Sequence, residues 1–221
     1  MTFSLLARDP GTGALGGAAA TGNLCVGGWV LRGTAGVGLS ASQGHYPSTV
    51  WGEEVLRAME DGLAPEKAVQ NTVSPDPGRA SRQLLALNRR GLGAAFSGDQ
   101  NVPAVSDAVR PNICAGGNML SDPSVVPAMV DGYATAKGSF LRSLLAGLDA
   151  GARAGGDARG LMSAAILILS EDHPPIDLRV DLSDAPLAAL SDLVNAVEDR
   201  DYSDWVRALP TQAAPFGPRS S

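Results

Sequence analysis

Short runs of apolar and small residues, which predict strands, are interleaved along the chain with amphipathic stretches, which predict helices. A first pair of strands is predicted in "TFSLLAR" and "ALGGAAAT", and four later runs have the same character: "NLCVGGWVLR", "GTAGVGLSAS", "RQLLALN" and "GLGAAFSG". Most of these runs are apolar or small on both faces, whereas a strand with one wet face alternates apolar with polar residues. We therefore expect sheets that are covered on both sides.

Helices are predicted in two blocks. The first block is "STVWGEEVLRAMEDG" and "APEKAVQNTV", in which Ser48 is the expected N-cap and Pro65 a first-turn proline. The second block is "DPSVVPAMVDGYATA" and "GSFLRSLLAGLDAGARA". Two further strands, "LMSAAILILS" and "IDLRVDLS", and a helix around "PLAALSDLVNAVEDR" complete the predicted elements.

Paired strands and paired helices do not fit the strand–helix alternation of a doubly wound parallel sheet. We expect an α+β fold, a four-layer αββα sandwich in which two stacked, largely antiparallel sheets are covered by helices. No linker-like or charge-rich segment divides the 221 residues, so we expect one domain over residues 1–221, with a frayed tail at about 210–221.

The segment Gly11–Gly16 matches the pattern GxGxxG of a dinucleotide-binding loop. Such a loop needs a helix after the glycines, because the helix N-terminus holds the pyrophosphate. Here "ALGGAAATG" follows, with Gly16 and Gly17 where that helix should be, and "DPGTG" has the composition of a chain reversal. A β-hairpin is the prediction; a nucleotide-dependent oxidoreductase is the alternative if a helix follows.

Charge and composition limit the kinds of binding partner, cellular location and cofactor that we expect. The 17 Lys and Arg residues against 23 Asp and Glu, without a basic cluster, argue against nucleic acid or an anionic membrane as partner. The opening residues lack a secretory signal and no apolar run approaches the roughly 20 residues of a membrane span, so a cytoplasmic location is expected. Cys25 and Cys114 lack metal-ligand spacing, and His45 and His173 are the two histidines, so we expect no metal and no cofactor.

Thr2 is the residue with the most distinctive chemistry if the first strand begins there. A small second residue is the circumstance in which Met1 is normally removed, and Thr2 would then carry a hydroxyl and a free α-amine together. The hydroxyl is a weak nucleophile, but a neighbouring amine can take its proton during attack. An α-amine titrates close to working pH, where general-base catalysis is efficient.

Several motifs occur in the same order as in the bacterial DUF1028 family: "MTFSLLARDPGTGALGGAAATGN", "AGVGLSASQG", "RQLLAL", "AGGNML", "AGGDARGLMSAAILIL" and "DLRVD". The chain resembles that family from Thr2 to about Val197. The resemblance implies the αββα fold of the N-terminal nucleophile (Ntn) hydrolases, which cleave amide bonds.

The opening also resembles the catalytic subunit of isoaspartyl peptidase/asparaginase enzymes. On that pattern Thr2 matches the nucleophile, and Thr21 falls near the second-strand threonine that assists it. The lysine of proteasome-like members has no counterpart in "VLRGTAGVG", where Arg32 is the available substitute. The substrate-gripping Arg and Asp of the isoaspartyl enzymes also lack clear counterparts, so their substrate is not carried over.

An amide hydrolase needs hydrogen-bond donors for the oxyanion. Asn118 in "CAGGNML" and Gln43 in "SASQG" are the candidates, with a turn, capping or loop role as the alternative for each. Asp157 and Arg159 in "GGDARG" are candidates for orienting the amine or binding a substrate carboxylate, or form a loop ion pair. Ser42 is a further candidate for substrate binding.

The sequence thus predicts an amidohydrolase that cleaves a small amide through an acyl ester on Thr2. The alternative is a non-catalytic small-molecule binding or regulatory protein with the same fold and Met1 retained. The expected partner is a small-molecule amide, and a homodimer is the assembly considered. The three tryptophans, Trp29, Trp51 and Trp205, are assigned to the core or an interface.

Overall fold

The computed structural model describes residues 2–102, 104–156 and 160–217. The described part contains ten strands: β1 Thr2–Arg8, β2 Leu15–Thr21, β3 Leu31–Thr34, β4 Gly38–Gly44, β5 Arg82–Asn88, β6 Gly93–Ser97, β7 Ala104–Arg110, β8 Ile113–Leu120, β9 Ser163–Ser170 and β10 His173–Val180. It also contains seven α-helices: α1 Val26–Trp29, α2 Thr49–Glu60, α3 Pro65–Val73, α4 Val125–Thr135, α5 Phe140–Arg153, α6 Pro186–Val197 and α7 Arg200–Arg207.

The strands form two antiparallel sheets. One has six strands in the order β10-β9-β2-β1-β8-β7, and the other has four in the order β3-β4-β5-β6. The first strand of the chain is therefore an interior strand of the larger sheet, with β2 on one side and β8 on the other.

The two sheets and the helices form four layers, with one buried hydrophobic cluster between each neighbouring pair. This arrangement confirms the predicted αββα sandwich. One cluster joins the larger sheet to the helices α4, α5 and α6, and includes Phe3 and Leu144. The second lies between the sheets and includes Leu6 and Leu85. The third, which includes Val55, joins the smaller sheet to α2 and α3.

The predicted hairpin at the start of the chain is confirmed. The Asp9 carboxylate accepts hydrogen bonds from Gly11 N at 3.0 Å and Thr12 Oγ1 at 2.6 Å, and Gly13 has a φ of 78°. A strand, β2, follows the glycine-rich turn, so the helix that a dinucleotide loop requires is absent from this place. The oxidoreductase alternative is thus wrong in its structural premise.

Helix ends predicted from local chemistry are also confirmed. Ser48 caps α2, since its side chain accepts a hydrogen bond from Trp51 N, and Pro65 is the first residue of α3. Across the described residues, no helix is both long and apolar enough to cross a membrane.

The sequence prediction misses β7 and β8, and it assigns "NLCVGGWVLR" to a strand although residues 26–29 of it form α1. The glycines of β8 looked like a loop before a helix. A Cβ at Gly116 would lie 2.8 Å from Leu85 Cδ2 of the opposite sheet, so this glycine allows the two sheets to approach closely. Asn118 therefore lies in a strand and not in a turn.

Candidate functional site

A cleft of about 490 Å³ opens between the two sheets, where β1 begins and β4 ends. Thr2 and Thr21 line it from the larger sheet, and Gln43 lines it from the smaller one. The segment after β2, which contains Asn23, and the segment after β4 complete its wall. The volume lies within the range of about 300–1,000 Å³ that is usual for small-molecule sites.

Thr2 lies at the start of an interior strand and faces the opposite sheet. Side chains along a strand alternate between its two faces. Phe3 belongs to the helix-side cluster and Leu6 to the cluster between the sheets, so Thr2 points toward the smaller sheet. Thr21 is its direct partner on β2, and the two Oγ1 atoms are 3.0 Å apart, within hydrogen-bond distance.

A buried network of side-chain amides extends from this place into the space between the sheets. Ser4 Oγ donates to Gln43 Oε1 at 2.9 Å. Gln43 Nε2 donates to Gln83 Oε1 at 2.7 Å and to Gly116 O at 3.3 Å. Both amide hydrogens of Gln43 are therefore used inside the protein, although its side chain lines the cleft.

Gln83 is the centre of this network and is fully buried. Its Nε2 donates to Ser97 Oγ at 2.8 Å and is within hydrogen-bond distance of two carbonyls, Ser106 O at 3.1 Å and Gly117 O at 3.3 Å. Carbonyl partners require a donor, so they fix which end of the Gln83 amide faces them. Its Oε1 therefore accepts hydrogen bonds from the side-chain amides on the cleft side, Gln43 Nε2 and Asn118 Nδ2.

Asn118 is the direct partner of Thr2 on β8 and is also fully buried. Its Nδ2 donates to Gln83 Oε1 at 3.4 Å, which sets its amide orientation. Within the described part of the chain, Asn118 Oδ1 has no hydrogen-bond partner. A buried acceptor without a partner is costly and calls for an explanation in a native structure.

The residues predicted from sequence divide into three groups. Thr2, Thr21, Gln43 and Asn118 come together at the cleft and the network beneath it. Asp157 and Arg159 lie outside the described residues. The structure does not bring Ser42 and Arg32 to the cleft.

Ser42 and Arg32 belong to the opposite face of the smaller sheet. Residues adjacent on a strand point to opposite faces, and Gln43 points to the cleft, so Ser42 points to the helix side. There Ser42 Oγ donates to Ser48 O at 2.6 Å, next to α2. Arg32 Nη1 donates to Leu31 O at 2.8 Å, and its Cγ lies against Gly52 of α2. Neither side chain therefore points into the space between the sheets, where the Thr2 side chain lies.

Sequence reasoning missed most of the residues that line the cleft. Asn23 and His45 bring polar side chains, and Trp29 and Tyr46 bring exposed aromatic rings. Asn23 Oδ1 accepts from Leu24 N at 2.9 Å, which leaves the Nδ2 end of this exposed amide available. The sequence offered one signal for Asn23: it lies just beyond Thr21, at the end of a predicted strand.

The described lining of the cleft contains no Asp, Glu, Lys or Arg. In the part of the chain covered by the structure, no three His, Cys, Asp or Glu side chains lie close enough together to hold a metal ion. The described side chains of the cleft thus offer hydroxyl, amide and imidazole groups on an apolar and aromatic surface.

Comparison with known proteins gives a family but no described activity. The family model described as "Family of unknown function (DUF1028)" matches residues 2–190. A crystal structure of the protein SPO2555 from Silicibacter pomeroyi, described with the DUF1028 family model, is 48% identical in sequence, with a TM-score of 0.94. The match covers 100% of this chain and 96% of that one. No curated protein matches the chain. On the extent of both matches, the chain belongs to the DUF1028 family.

Proposed function

We propose that this protein is an amide hydrolase of the N-terminal nucleophile type, and that Thr2 is its nucleophile once the peptide bond before Thr2 has been cut. The observation that carries the proposal is the position of the Thr2 hydroxyl. It lies at the start of an interior strand, it is within hydrogen-bond distance of Thr21 Oγ1, and it lines a cleft of small-molecule size. The four-layer αββα arrangement supports the same class.

The reaction has two steps. Thr2 Oγ forms a bond to the carbonyl carbon of the substrate while the hydroxyl proton passes to the Thr2 α-amine. The carbon–nitrogen bond then breaks, and the departing amine takes that proton, which leaves an acyl ester on Thr2. Water adds to the ester carbonyl with the α-amine again as base, the carboxylic acid leaves, and the Thr2 hydroxyl is restored.

Thr21 positions the nucleophile in this scheme. Its hydroxyl lies 3.0 Å from that of Thr2, and both side chains are almost fully buried, so the contact restricts the rotation of the Thr2 side chain. Holding a nucleophile in one orientation lowers the entropic part of the barrier.

Asn118 has a different role here from the one expected from sequence. Its Nδ2 is directed to Gln83, whereas its Oδ1 has no partner among the described residues. Direct partners on neighbouring strands have Cβ atoms about 4.5–5.5 Å apart, so Asn118 lies beside Thr2. We assign Asn118 Oδ1 as the acceptor for the Thr2 α-amine, which holds the amine near the hydroxyl.

The oxyanion donor is then neither Asn118 nor Gln43, since the hydrogens of Gln43 Nε2 are already used. We assign this role to Asn23 Nδ2, because Asn23 is exposed in the same cleft and, of its side-chain polar atoms, only Oδ1 has a hydrogen-bond partner among the described residues. Removing one such donor from a hydrolase typically costs about 10²–10³ in kcat.

Replacement of Thr2 tests the proposal. Thr2→Ala should abolish turnover of amide substrates while the thermal unfolding transition stays cooperative, and Thr2→Ser should keep residual turnover because it retains a hydroxyl and an amine. Equal turnover by Thr2→Ala and the parent protein would refute the assignment. Absence of turnover in parent protein that begins at Thr2 would instead favour the alternative, a binding site in a non-catalytic protein of the same fold.

A further inference from the structure

Exposed aromatic and aliphatic side chains surround the cleft. Trp29, Tyr46 and Leu24 are 59%, 66% and 45% exposed, and all three line the cleft that contains Thr2. Large apolar side chains exposed singly are common, but a group of them around a concave site marks a place where apolar ligand surface is buried. Trp and Tyr are also the residues that most often supply binding energy at recognition sites.

The backbone that carries Trp29 is held firmly. Val26, at the start of α1, is buried between the sheets, and its N–H donates to Ser163 Oγ at 3.1 Å. Gly27 packs so closely on β9 that a Cβ there would lie 2.8 Å from Ala165 Cβ. Trp29 therefore presents its ring to the cleft from a fixed position, without the ordering cost of a mobile loop.

The backbone that carries Tyr46, in the segment after β4, is held in a similar way. Its N–H donates to Ser81 O at 3.2 Å, and the neighbouring His45 N–H donates to the side chain of the fully buried Asn101 at 3.0 Å. The rings of His45 and Tyr46 meet edge to face, with centroids 4.4 Å apart. Trp29 lies on α1, which packs on β9 of the larger sheet, and Tyr46 follows β4 of the smaller sheet. The two aromatic walls of the cleft thus lie next to the two sheets between which the Thr2 hydroxyl lies.

The charge of the cleft limits the substrate further. An ionised carboxylate that leaves water needs a cation or several donors around it. The described lining holds no Lys or Arg, and the aromatic and aliphatic side chains give a neutral surface. Among these described residues an acidic acyl group would find no cation, whereas an apolar one would gain from burial.

We propose that the substrates are neutral amides with an apolar acyl group, aromatic or aliphatic, which lies against Trp29 and Tyr46 while its carbonyl carbon meets Thr2. This inference rests on the proposed function and adds to it the substrate class. The acyl side of the amide is assigned to the aromatic walls because it stays bonded to Thr2 between the two steps and must be held throughout.

A series of 4-nitroanilides tests the substrate class, because the leaving group is constant and only the acyl group changes. The members are 3-phenylpropanoyl, hexanoyl, acetyl and glutaryl 4-nitroanilide. We expect kcat/KM for the first two to exceed that for the glutaryl compound by about tenfold or more, the scale of one good apolar contact. A preference for the glutaryl compound, or equal rates across the series, would overturn the inference.

Trp29→Ala and Trp205→Ala form a matched pair. Trp205 is 56% exposed, nearly the same as Trp29, but it lies on α7 and does not line the cleft. Trp29→Ala should lower kcat/KM for the 3-phenylpropanoyl compound by about tenfold and leave the acetyl compound almost unchanged, and Trp29→Phe should restore most of the loss. Trp205→Ala should change neither. An equal loss for both compounds in Trp29→Ala would contradict a contact with the acyl group.

Binding separates this inference from the proposed reaction. Calorimetry with Thr2→Ala and 3-phenylpropanamide, against the monoamide of glutaric acid, reports recognition without turnover. Binding of the apolar amide alone, dependent on Trp29, supports the substrate class even where no anilide is cleaved. Cleavage with the opposite selectivity leaves the hydrolase proposal standing and removes the substrate class. Absence of both binding and turnover removes both.

Discussion

Thr2 Oγ1 and Thr21 Oγ1 lie 3.0 Å apart, on residues that are directly opposite each other in the β1–β2 pair. The hairpin turn at Asp9–Gly13 fixes this register, and a shift by one residue would move Thr21 to the helix side of the sheet. The local chemistry of a surface turn thus determines which side chain meets Thr2 at the far end of the hairpin.

Removal of the Thr21 hydroxyl should slow the reaction. Thr21→Val keeps the shape of the side chain but loses the contact with Thr2 Oγ1, so we expect kcat to fall by about tenfold to a hundredfold. Thr21→Ser, which keeps the hydroxyl, should retain most of the activity. Full activity in Thr21→Val, measured beside an unchanged thermal unfolding curve, would show that Thr21 does not position the nucleophile.

Replacement of Asn118 should shift the pH dependence. Turnover needs the neutral α-amine, so kcat/KM should rise with pH as that amine loses its proton. A carboxylate beside an amine favours the charged form and raises the pKa of the amine. Asn118→Asp should therefore move the acid limb of kcat/KM to higher pH and lower activity near neutrality, while Asn118→Leu should not move the limb upward. An unshifted limb in Asn118→Asp would argue against contact between Asn118 and the amine.

The buried amide network should contribute measurably to stability. Gln83→Leu removes a fully buried amide that bonds to groups of both sheets, and it leaves several buried donors and acceptors without a partner. At about 1–3 kcal/mol for each unsatisfied group, we expect the free energy of unfolding to fall by roughly 3 kcal/mol or more. The matched control is Gln70→Leu on the exposed face of α3, which should change it by less than about 0.5 kcal/mol in denaturant titration. A loss in Gln83→Leu no larger than in Gln70→Leu would contradict the network.

The two cysteines should differ in reactivity. Burial raises the pKa of Cys114 to about 12, well above the usual value of 9.0, so its thiolate is scarce at pH 8. Cys25 is only half-buried. A disulfide reagent should therefore label Cys25 alone in the native protein, and the Cys25→Ser variant should react only after denaturant is added. Rapid labelling of native Cys25→Ser would show that Cys114 is not buried between the sheets.

Much of the fold follows from local sequence chemistry. The turn residues of "DPGTG", the cap at Ser48 and the proline at Pro65 each specify a structure within a few residues, and each prediction is confirmed. The layer order follows from strands that are apolar on both faces. These features need no knowledge of distant contacts.

The parts that sequence reasoning missed depend on distant contacts. In the sequence alone, Gly116 looks like a loop residue. In the fold, the absence of a side chain at Gly116 leaves room for Leu85 of the opposite sheet. Gln83 acquires its role from Asn118, which lies 35 residues away in the other sheet. The sequence pattern assigns Trp29 to the core or an interface, whereas Trp29 is 59% exposed and lines the cleft. No periodic pattern indicates the left-handed backbone of Cys25, with φ 58°, or the short helix that follows it.

Mass spectrometry of the N-terminal peptide tests whether Thr2 is the nucleophile, on active protein quenched with acid during turnover of 3-phenylpropanoyl 4-nitroanilide. We expect a peptide that begins at Thr2, part of which carries a 3-phenylpropanoyl group on the Thr2 side chain. An active preparation whose N-terminal peptide still includes Met1 would contradict it, because the α-amine of Thr2 would then be an amide and unable to accept a proton.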